Sequence, residues 1–195
     1  GEKVSIVHAI NLTPLVTVLK TPRIKLENSV NLVYVGRISE VKNLLLCLKV
    51  LGKINKEYEI SFDIYGPSDD AGYLKLCQNE IASLPSNVKA TLKGTADNSG
   101  ITSLLSNYHF LFLLSMNENF GHAIVEGLTA GCPVIIGNRT PWQNLESKKC
   151  GWDLPLEQED KIVAVLNTAA AMNQGEYDEW SSAATEFAMQ IHENK

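Results

Sequence analysis

Short apolar runs alternate along this chain with longer stretches in which apolar residues recur at helical spacing. The runs are too short for helices and end at glycine or polar residues, which is typical of buried parallel strands. The pattern predicts strands over residues 30–35, 60–65, 88–92, 110–115, 133–136 and 152–154, and helices over residues 41–54, 73–84, 101–108, 121–130, 161–172 and 177–191. Because strands and helices alternate, we expect a doubly wound parallel sheet of the Rossmann-like α/β class.

The chain divides into a short leading segment and one domain. Pro14 and Pro22 interrupt any helix in residues 1–28, which we interpret as a linker or crossover with an edge element. Residues 29–195 are long enough for one buried core, closed by the last two helices. Since the sequence begins at Gly1 and not at methionine, we expect it to be a segment of a longer protein with a preceding domain.

Composition and charge disfavour several partners. The net charge of −5 leaves no basic footprint for nucleic acid or for an anionic membrane surface. No apolar run approaches the roughly 20 residues that a membrane helix needs, and the start lacks the pattern of a secretion signal. We therefore expect a cytoplasmic protein. Its four cysteines form no CxxC pair and are expected to be reduced core thiols, at Cys47, Cys77, Cys132 and Cys150.

The stretch over residues 110–136 carries the first candidate site. Glu118 lies in the loop after an apolar strand, and Glu126 lies about one turn into a helix that starts near Gly121. Ligands of open α/β sheets bind beyond the carboxyl ends of strands, and the N–H groups at a helix start favour an anion there. Among apolar neighbours, the Glu126 carboxylate is costly unless it faces a cavity, where it can accept two hydroxyl donors. The alternative is an ordinary surface acid.

A second candidate group follows the first clear strand. Gly36 and Arg37 end the strand, and Lys42 is predicted in the first turn of the next helix, with Ser39 as its N-cap. Two cations beside a helix start can neutralise a diphosphate without a metal. Solvated charges flanking a helix start are the alternative interpretation.

A third, weaker group ends two further strands. Gly66 follows the second strand, and Lys93 and Gly94 follow the third, on the same side of the predicted sheet. Backbone groups there are placed to contact a nucleobase. Trp142 and Glu146 lie in a later loop, and their roles stay open; Trp142 is also compatible with simple packing.

The two acids and their surroundings carry a family resemblance. Glu118 and Glu126 are separated by seven residues, with NFGH between them and AGCPVI after them. This pattern resembles the Glu-x7-Glu signature of retaining GT-B glycosyltransferases of family 4, and specifically their C-terminal, nucleotide-sugar-binding domain. The likeness extends over about residues 30–152. One departure is the segment TPWQNLE, which replaces a glycine-rich run of that family.

The resemblance implies roles for these residues. It implies that Arg37 and Lys42 hold the donor's diphosphate as it leaves and that Glu118 contacts hydroxyls of the donor sugar near the reacting carbon, so these three are the expected catalytic residues. It also implies that Glu126 binds the ribose diol. The expected donor contacts are completed by Gly36, Gly66, Lys93 and Gly94 and by the loop of Asn119, Phe120, Gly121 and His122.

The expected function is sugar transfer from a nucleotide diphosphate sugar, with UDP or GDP as the nucleotide, to an acceptor with retention of configuration. Surface polysaccharide or lipopolysaccharide synthesis is the setting that the resemblance suggests. We expect no metal and no other cofactor, and a missing N-terminal domain that binds the acceptor, so that the chain alone is inactive. Rival hypotheses are another GT-B enzyme, such as a nucleotide-sugar epimerase or a phosphorylase, and a non-catalytic nucleotide-binding or protein-interaction module.

Overall fold

The computed structural model describes residues 23–193 of the chain. Most of the predicted leading segment, residues 1–22, lies outside the described residues. The strands are β1 (Ser29–Val35), β2 (Glu59–Tyr65), β3 (Val88–Gly94), β4 (Phe110–Leu113), β5 (Val134–Gly137) and β6 (Gly151–Leu154). The helices are α1 (Leu44–Leu51), α2 (Ala71–Ser83), α3 (Ile101–Leu105), α4 (His122–Thr129), α5 (Glu159–Ala171) and α6 (Gln174–Glu193), and two short 3-10 turns span Asn98–Gly100 and Glu146–Lys148.

The six strands form one sheet in the order β3-β2-β1-β4-β5-β6. Every neighbouring pair is parallel, with Leu32 of β1 opposite Phe110 of β4 at the centre. This result confirms the predicted doubly wound sheet. The strand order reverses between β1 and β4, and ligands of open α/β sheets bind beyond the carboxyl ends of the strands at such a switch point. The first and second candidate groups follow these two strands.

Helices cover both faces of the sheet. α1 packs against α2 and α5, whereas α4 packs against α3 and α6. All residues of β4 and β5 are buried, which explains why these strands are continuous apolar runs without alternation. The four cysteines are buried and unpaired by disulfides, as the sequence predicts for core thiols.

The start of α1 differs from the prediction. Asn43 adopts a left-handed conformation with φ of 56°, and the helix begins only at Leu44. The Ser39 carbonyl accepts hydrogen bonds from the backbone N–H groups of Lys42 and Asn43, at 3.1 and 3.0 Å. Ser39 therefore belongs to a turn and is not the N-cap of α1. The prediction that Lys42 lies in the first helical turn was wrong, because this turn places it just before the helix.

Residues 23–28 form no helix or strand but are fixed to the amino-terminal edge of the sheet. The Arg23 guanidinium donates to the carbonyl oxygens of Tyr108 and Ala130 at 2.8 and 2.7 Å. The buried Lys25 ammonium donates to those of Ala170 and Met172 at 2.8 and 2.7 Å. These carbonyls lie at or just after helix ends, where cations are favourable because the carbonyl dipoles point outward.

Within residues 23–193, no helix is both long enough and apolar enough to cross a membrane.

Candidate functional site

The loops after β1 and β4 meet through an ion pair at the carboxyl edge of the sheet. The Lys42 Nζ donates to a carboxylate oxygen of Glu118. The Lys42 and Glu118 side chains are 27% and 13% exposed, so the pair is only partly open to water. The backbone N–H of Met116 donates to the Val41 carbonyl at 2.8 Å and joins the same two loops. The structure thus brings together two candidates that the sequence places 76 residues apart.

Arg37 stands on the same edge, directly after β1. The Gly36 N–H donates to the Tyr65 carbonyl at 3.0 Å, and the buried Tyr34 hydroxyl donates to the Arg37 carbonyl at 2.7 Å. These bonds fix the backbone of Arg37. Its guanidinium forms an exposed ion pair with Asp69 in the loop after β2.

Gly66 brings the loops after β1 and β2 into close contact. Its φ is 154°, and a Cβ at this position would overlap the Gly36 carbonyl oxygen. A residue with a side chain would therefore push the Gly36 and Arg37 backbone out of place. The Gly66 N–H donates to the Gly94 carbonyl at 2.8 Å, so these two predicted contact residues pair with each other.

The first turn of α4 faces the loop that carries Glu118. Gly121 is the N-cap with φ of 76°, and its carbonyl accepts from the N–H groups of Ile124 and Val125. A Cβ on Gly121 would lie 2.7 Å from Ile124 Cδ1 and 3.1 Å from Glu118 Cγ. Glycine is therefore required for both the turn and the packing of the Glu118 stem. The amides that precede Ile124 stand before the intrahelical hydrogen bonds, where the helix dipole favours an anion.

Glu126 lies one turn into α4 and is half-buried. Burial raises the pKa of its carboxyl group above the ordinary value of 4.5. Among the residues that the structure describes, no side chain donates a hydrogen bond to this carboxylate or forms an ion pair with it. A partly desolvated acid without a protein partner is the expected state of a group that accepts hydroxyls from a ligand.

Aromatic packing holds the Phe120 segment in place. The Trp142 indole Nε1–H donates to the Phe120 carbonyl at 2.6 Å, and the two ring centroids are 5.8 Å apart. The Phe120 ring also contacts the ring of the exposed His122, at 4.9 Å. Asn119 is exposed in the same loop, and Glu146 is exposed at the start of the second 3-10 turn. Trp142 therefore supports the loop between Glu118 and α4.

Lys93 forms an ion pair with Asp63, which was not among the predicted site residues. Its Nζ lies 3.3 Å from an oxygen of Asp63, and the same oxygen accepts from the Tyr108 hydroxyl at 2.8 Å. The Tyr65 and Tyr108 hydroxyls are 3.1 Å apart and extend this polar group along β2. Lys93 is thus held at the face of the sheet, whereas Gly94 has open space around it.

Sequence reasoning missed three residues that shape the site. Asp69 and Asp63 each pair with a predicted cation, and Tyr34 fixes the Arg37 backbone. The SDD segment after β2 was an available signal, because acids after a parallel strand share the carboxyl edge with the cations. No group of three or more potential metal ligands occurs within residues 23–193.

Lys42, Glu118 and the start of α4 therefore meet beyond the carboxyl ends of β1 and β4, with Arg37 on the same edge and Glu126 one turn into α4. Cations and helix amides bind phosphate groups, and carboxylates accept sugar hydroxyls. The arrangement fits a ligand that combines both chemistries.

Comparison with known proteins adds family evidence. The family model "Glycosyl transferases group 1" matches residues 20–186. A curated relative from Streptococcus pneumoniae serotype 4 (strain ATCC BAA-334 / TIGR4), the GtfA subunit of UDP-N-acetylglucosamine--peptide N-acetylglucosaminyltransferase, is 28% identical over 129 residues, or 64% of this chain and 24% of the relative. The chain therefore spans about a quarter of that relative's length.

Two solved structures share the fold. The C-terminal domain of LpcC, a glycosyl transferase group 1 family protein from Francisella tularensis, matches with a TM-score of 0.71 at 16% identity, covering 84% of this chain and 86% of that one. HepE from Anabaena, solved in complex with UDP and glucose, matches with a TM-score of 0.71 at 20% identity, covering 84% of this chain and 44% of that one. The family match extends over most of the sequence, and the chain belongs to the group 1 glycosyl transferases, in keeping with the C-terminal GT-B domain that the sequence predicts.

Proposed function

We propose that this chain is the donor-binding half of a retaining glycosyltransferase that uses a nucleotide diphosphate sugar. The observation that carries the proposal is the meeting of Lys42, Glu118 and the start of α4 beyond the carboxyl ends of β1 and β4, with Arg37 on the same edge. Family membership supports a transferase, and the UDP complex of HepE supports this donor class.

In the proposed reaction, the bond between the anomeric carbon and the diphosphate oxygen breaks and its electrons pass to that oxygen. The acceptor's hydroxyl oxygen forms the new bond to the anomeric carbon, and the hydroxyl proton passes to the departing diphosphate. Negative charge then grows on the leaving diphosphate. In this proposal, Lys42, Arg37 and the first amides of α4 offset this charge. Such preorganised stabilisation is commonly the largest catalytic contribution of an active site. Retention of configuration rests on the family resemblance.

The two acids take separate roles in this proposal. Glu126 accepts hydroxyl donors from the nucleotide's ribose, because it is half-buried and lacks a protein donor within the described residues. Glu118 contacts hydroxyls of the donor sugar while it holds Lys42 beside the diphosphate. The nucleobase lies along the ends of β2 and β3, near Gly66 and Gly94.

We further propose that the acceptor binds to a part of the protein outside this domain, so that the chain alone binds donor and transfers nothing. The short span relative to GtfA supports this division. UDP is the favoured nucleotide, with GDP as the alternative, and surface polysaccharide or lipopolysaccharide synthesis is the proposed setting. Because two cations are available for the diphosphate, we propose that donor binding needs no metal, and EDTA should leave the affinity for UDP unchanged.

Calorimetric titration of the chain with UDP and with GDP tests the proposal. We expect measurable binding of one of them, and Glu126→Gln should weaken it at least about tenfold, since hydrogen bonds to a charged group contribute about 1.5–3 kcal/mol. Glu80→Gln, at the far end of α2, is the matched control and should have no effect. A folded protein that binds neither nucleotide would falsify the assignment.

A second measurement separates the enzyme from a non-catalytic nucleotide-binding module. In a protein that includes the acceptor-binding part, Glu118→Gln should abolish most of the sugar transfer. Unchanged transfer in this variant would favour the module and contradict the role proposed for Glu118.

A further inference from the structure

The loop after β2 places an acid on a cation that the proposed function assigns to the diphosphate. Arg37 and Asp69 form an ion pair in which the side chains are 61% and 67% exposed. We propose that Asp69 is a displaceable counter-ion of Arg37 and sets the affinity of the site for a nucleoside diphosphate. This inference rests on the proposed function, in which Arg37 binds the diphosphate.

The backbone around this pair is fixed, while the side chains are open to water. The Ile38 N–H donates to the Pro67 carbonyl at 2.8 Å, and the Tyr34 hydroxyl holds the Arg37 carbonyl at 2.7 Å. The loops after β1 and β2 therefore stay joined when the ion pair opens. The Arg37 guanidinium exchanges Asp69 for a diphosphate by rotation of its side chain alone, which requires no loop movement.

Two neighbouring acids do not share this property. Asp70 is committed to the start of α2, where its carboxylate accepts from the Tyr73 N–H at 2.9 Å. Glu118 pairs with Lys42 in a more buried position, at 13% exposure of the acid against 67% for Asp69. Because water screens Asp69 most strongly, its ion pair is the weaker one and the first to yield to a ligand.

A diphosphate carries more charge than one carboxylate and accepts a bidentate guanidinium, so it outcompetes Asp69. Competition from Asp69 still lowers the apparent affinity of the site for the diphosphate, by a factor set by the free energy of the exposed Arg37–Asp69 ion pair. Removing the acid charge with Asp69→Asn should tighten binding of UDP by about two- to fivefold at low ionic strength. The gain should fade at about 0.5 M salt, where screening shortens the range of the interaction.

The experiment is an NMR titration with UDP, which measures millimolar as well as micromolar dissociation constants. It compares the wild type, Asp69→Asn, Arg37→Ala and the double variant. Glu40→Gln is the matched control, because Glu40 is an exposed acid in the loop after β1 and forms no ion pair within residues 23–193. GDP replaces UDP if the wild type prefers it.

Support requires tighter binding by Asp69→Asn than by Glu40→Gln, and no gain when Asp69→Asn is added to Arg37→Ala. Equal effects of Asp69→Asn and Glu40→Gln would overturn the proposal, since the loss of one negative charge anywhere near the site would then account for both. Weaker binding by Asp69→Asn would also overturn it, because Asp69 would then position Arg37 for the ligand. Both of these results leave the proposed function standing, whereas a folded wild type that binds neither nucleotide removes both.

Discussion

His109 should make the fold sensitive to acid. It is almost fully buried, and its Nδ1 accepts a hydrogen bond from the Asn31 backbone N–H at 2.9 Å. The Nε2 therefore carries the proton and donates to the Ile24 carbonyl at 3.0 Å. The neutral ring satisfies both contacts. A second proton on Nδ1 would break the bond to Asn31 and place a charge beside Arg23 and Lys25.

The size of the effect follows from the pKa. Burial, followed by the charges of Lys25 and Arg23, lowers the pKa of His109 from 6.5 to about 4 in the folded protein, although the bond to Ile24 acts in the opposite direction. The unfolded chain binds the proton more readily, so this contribution to stability is fully present above pH 6.5. It is lost as the pH falls from about 6.5 to about 4. At 1.36 kcal/mol for each pKa unit, the loss approaches about 3 kcal/mol.

The assay is urea unfolding at pH 7, 5.5 and 4, followed by tryptophan fluorescence. His109→Gln is the comparison, because glutamine offers an acceptor and a donor but does not titrate in this range. Acidic groups titrate in both proteins, so the difference between them isolates His109. The wild type should lose up to about 3 kcal/mol more than the variant on acidification. Parallel losses would refute the reasoning, and His109→Asn repeats the test if glutamine prevents folding.

Three further predictions concern the carboxyl edge of the sheet. Gly66→Ala should lower the free energy of unfolding by about 2–5 kcal/mol, because the added methyl group overlaps the adjacent backbone and the residue is strained at positive φ. Gly94 has open space around it, so Gly94→Ala should cost only about 1 kcal/mol. Urea unfolding measures both variants, and equal costs would contradict the close approach at Gly66. Lys42→Ala should weaken UDP binding about tenfold by calorimetry, while the exposed Lys49→Ala should not; the reasoning fails if both behave alike. As the pH falls toward the raised pKa of Glu126, UDP affinity should fall more steeply in the wild type than in Glu126→Gln, and parallel pH profiles would exclude a role for the ionised carboxylate.

The order of strands and helices could be predicted from the sequence because the two kinds of element differ in the spacing of their apolar residues. β4 and β5 are continuous apolar runs, and α5 and α6 carry apolar residues at helical spacing. The residues at which helices begin and end were harder to predict. Asn43 delays the start of α1 by adopting a left-handed conformation, and the spacing of apolar residues along the chain does not predict that conformation. The prediction that Lys42 lies in the first helical turn was therefore wrong, although Lys42 does lie between β1 and α1 as the order of elements requires.

The candidate site divides in a similar way. The edge of the sheet was predictable, since parallel strands bring the residues that follow them to one side. The pairing of Lys42 with Glu118 and of Arg37 with Asp69 was not predicted, because each pair joins distant loops. Sequence spacing shows which charges share an edge, but only the packed loops decide which of them touch.

The two edges of the sheet use cations for different purposes. At the amino edge, Arg23 and Lys25 satisfy carbonyl groups at helix ends, so their charges are committed to the fold. At the carboxyl edge, Lys42 and Arg37 pair only with acidic side chains among the described residues, and a ligand anion can replace such partners. Replacing Lys42 or Arg37 should therefore change affinity while leaving stability within about 1 kcal/mol, whereas replacing Lys25 should reduce stability and leave nucleotide affinity intact in the folded fraction. This separation shows that a net charge of −5 is compatible with the proposed local site for an anion.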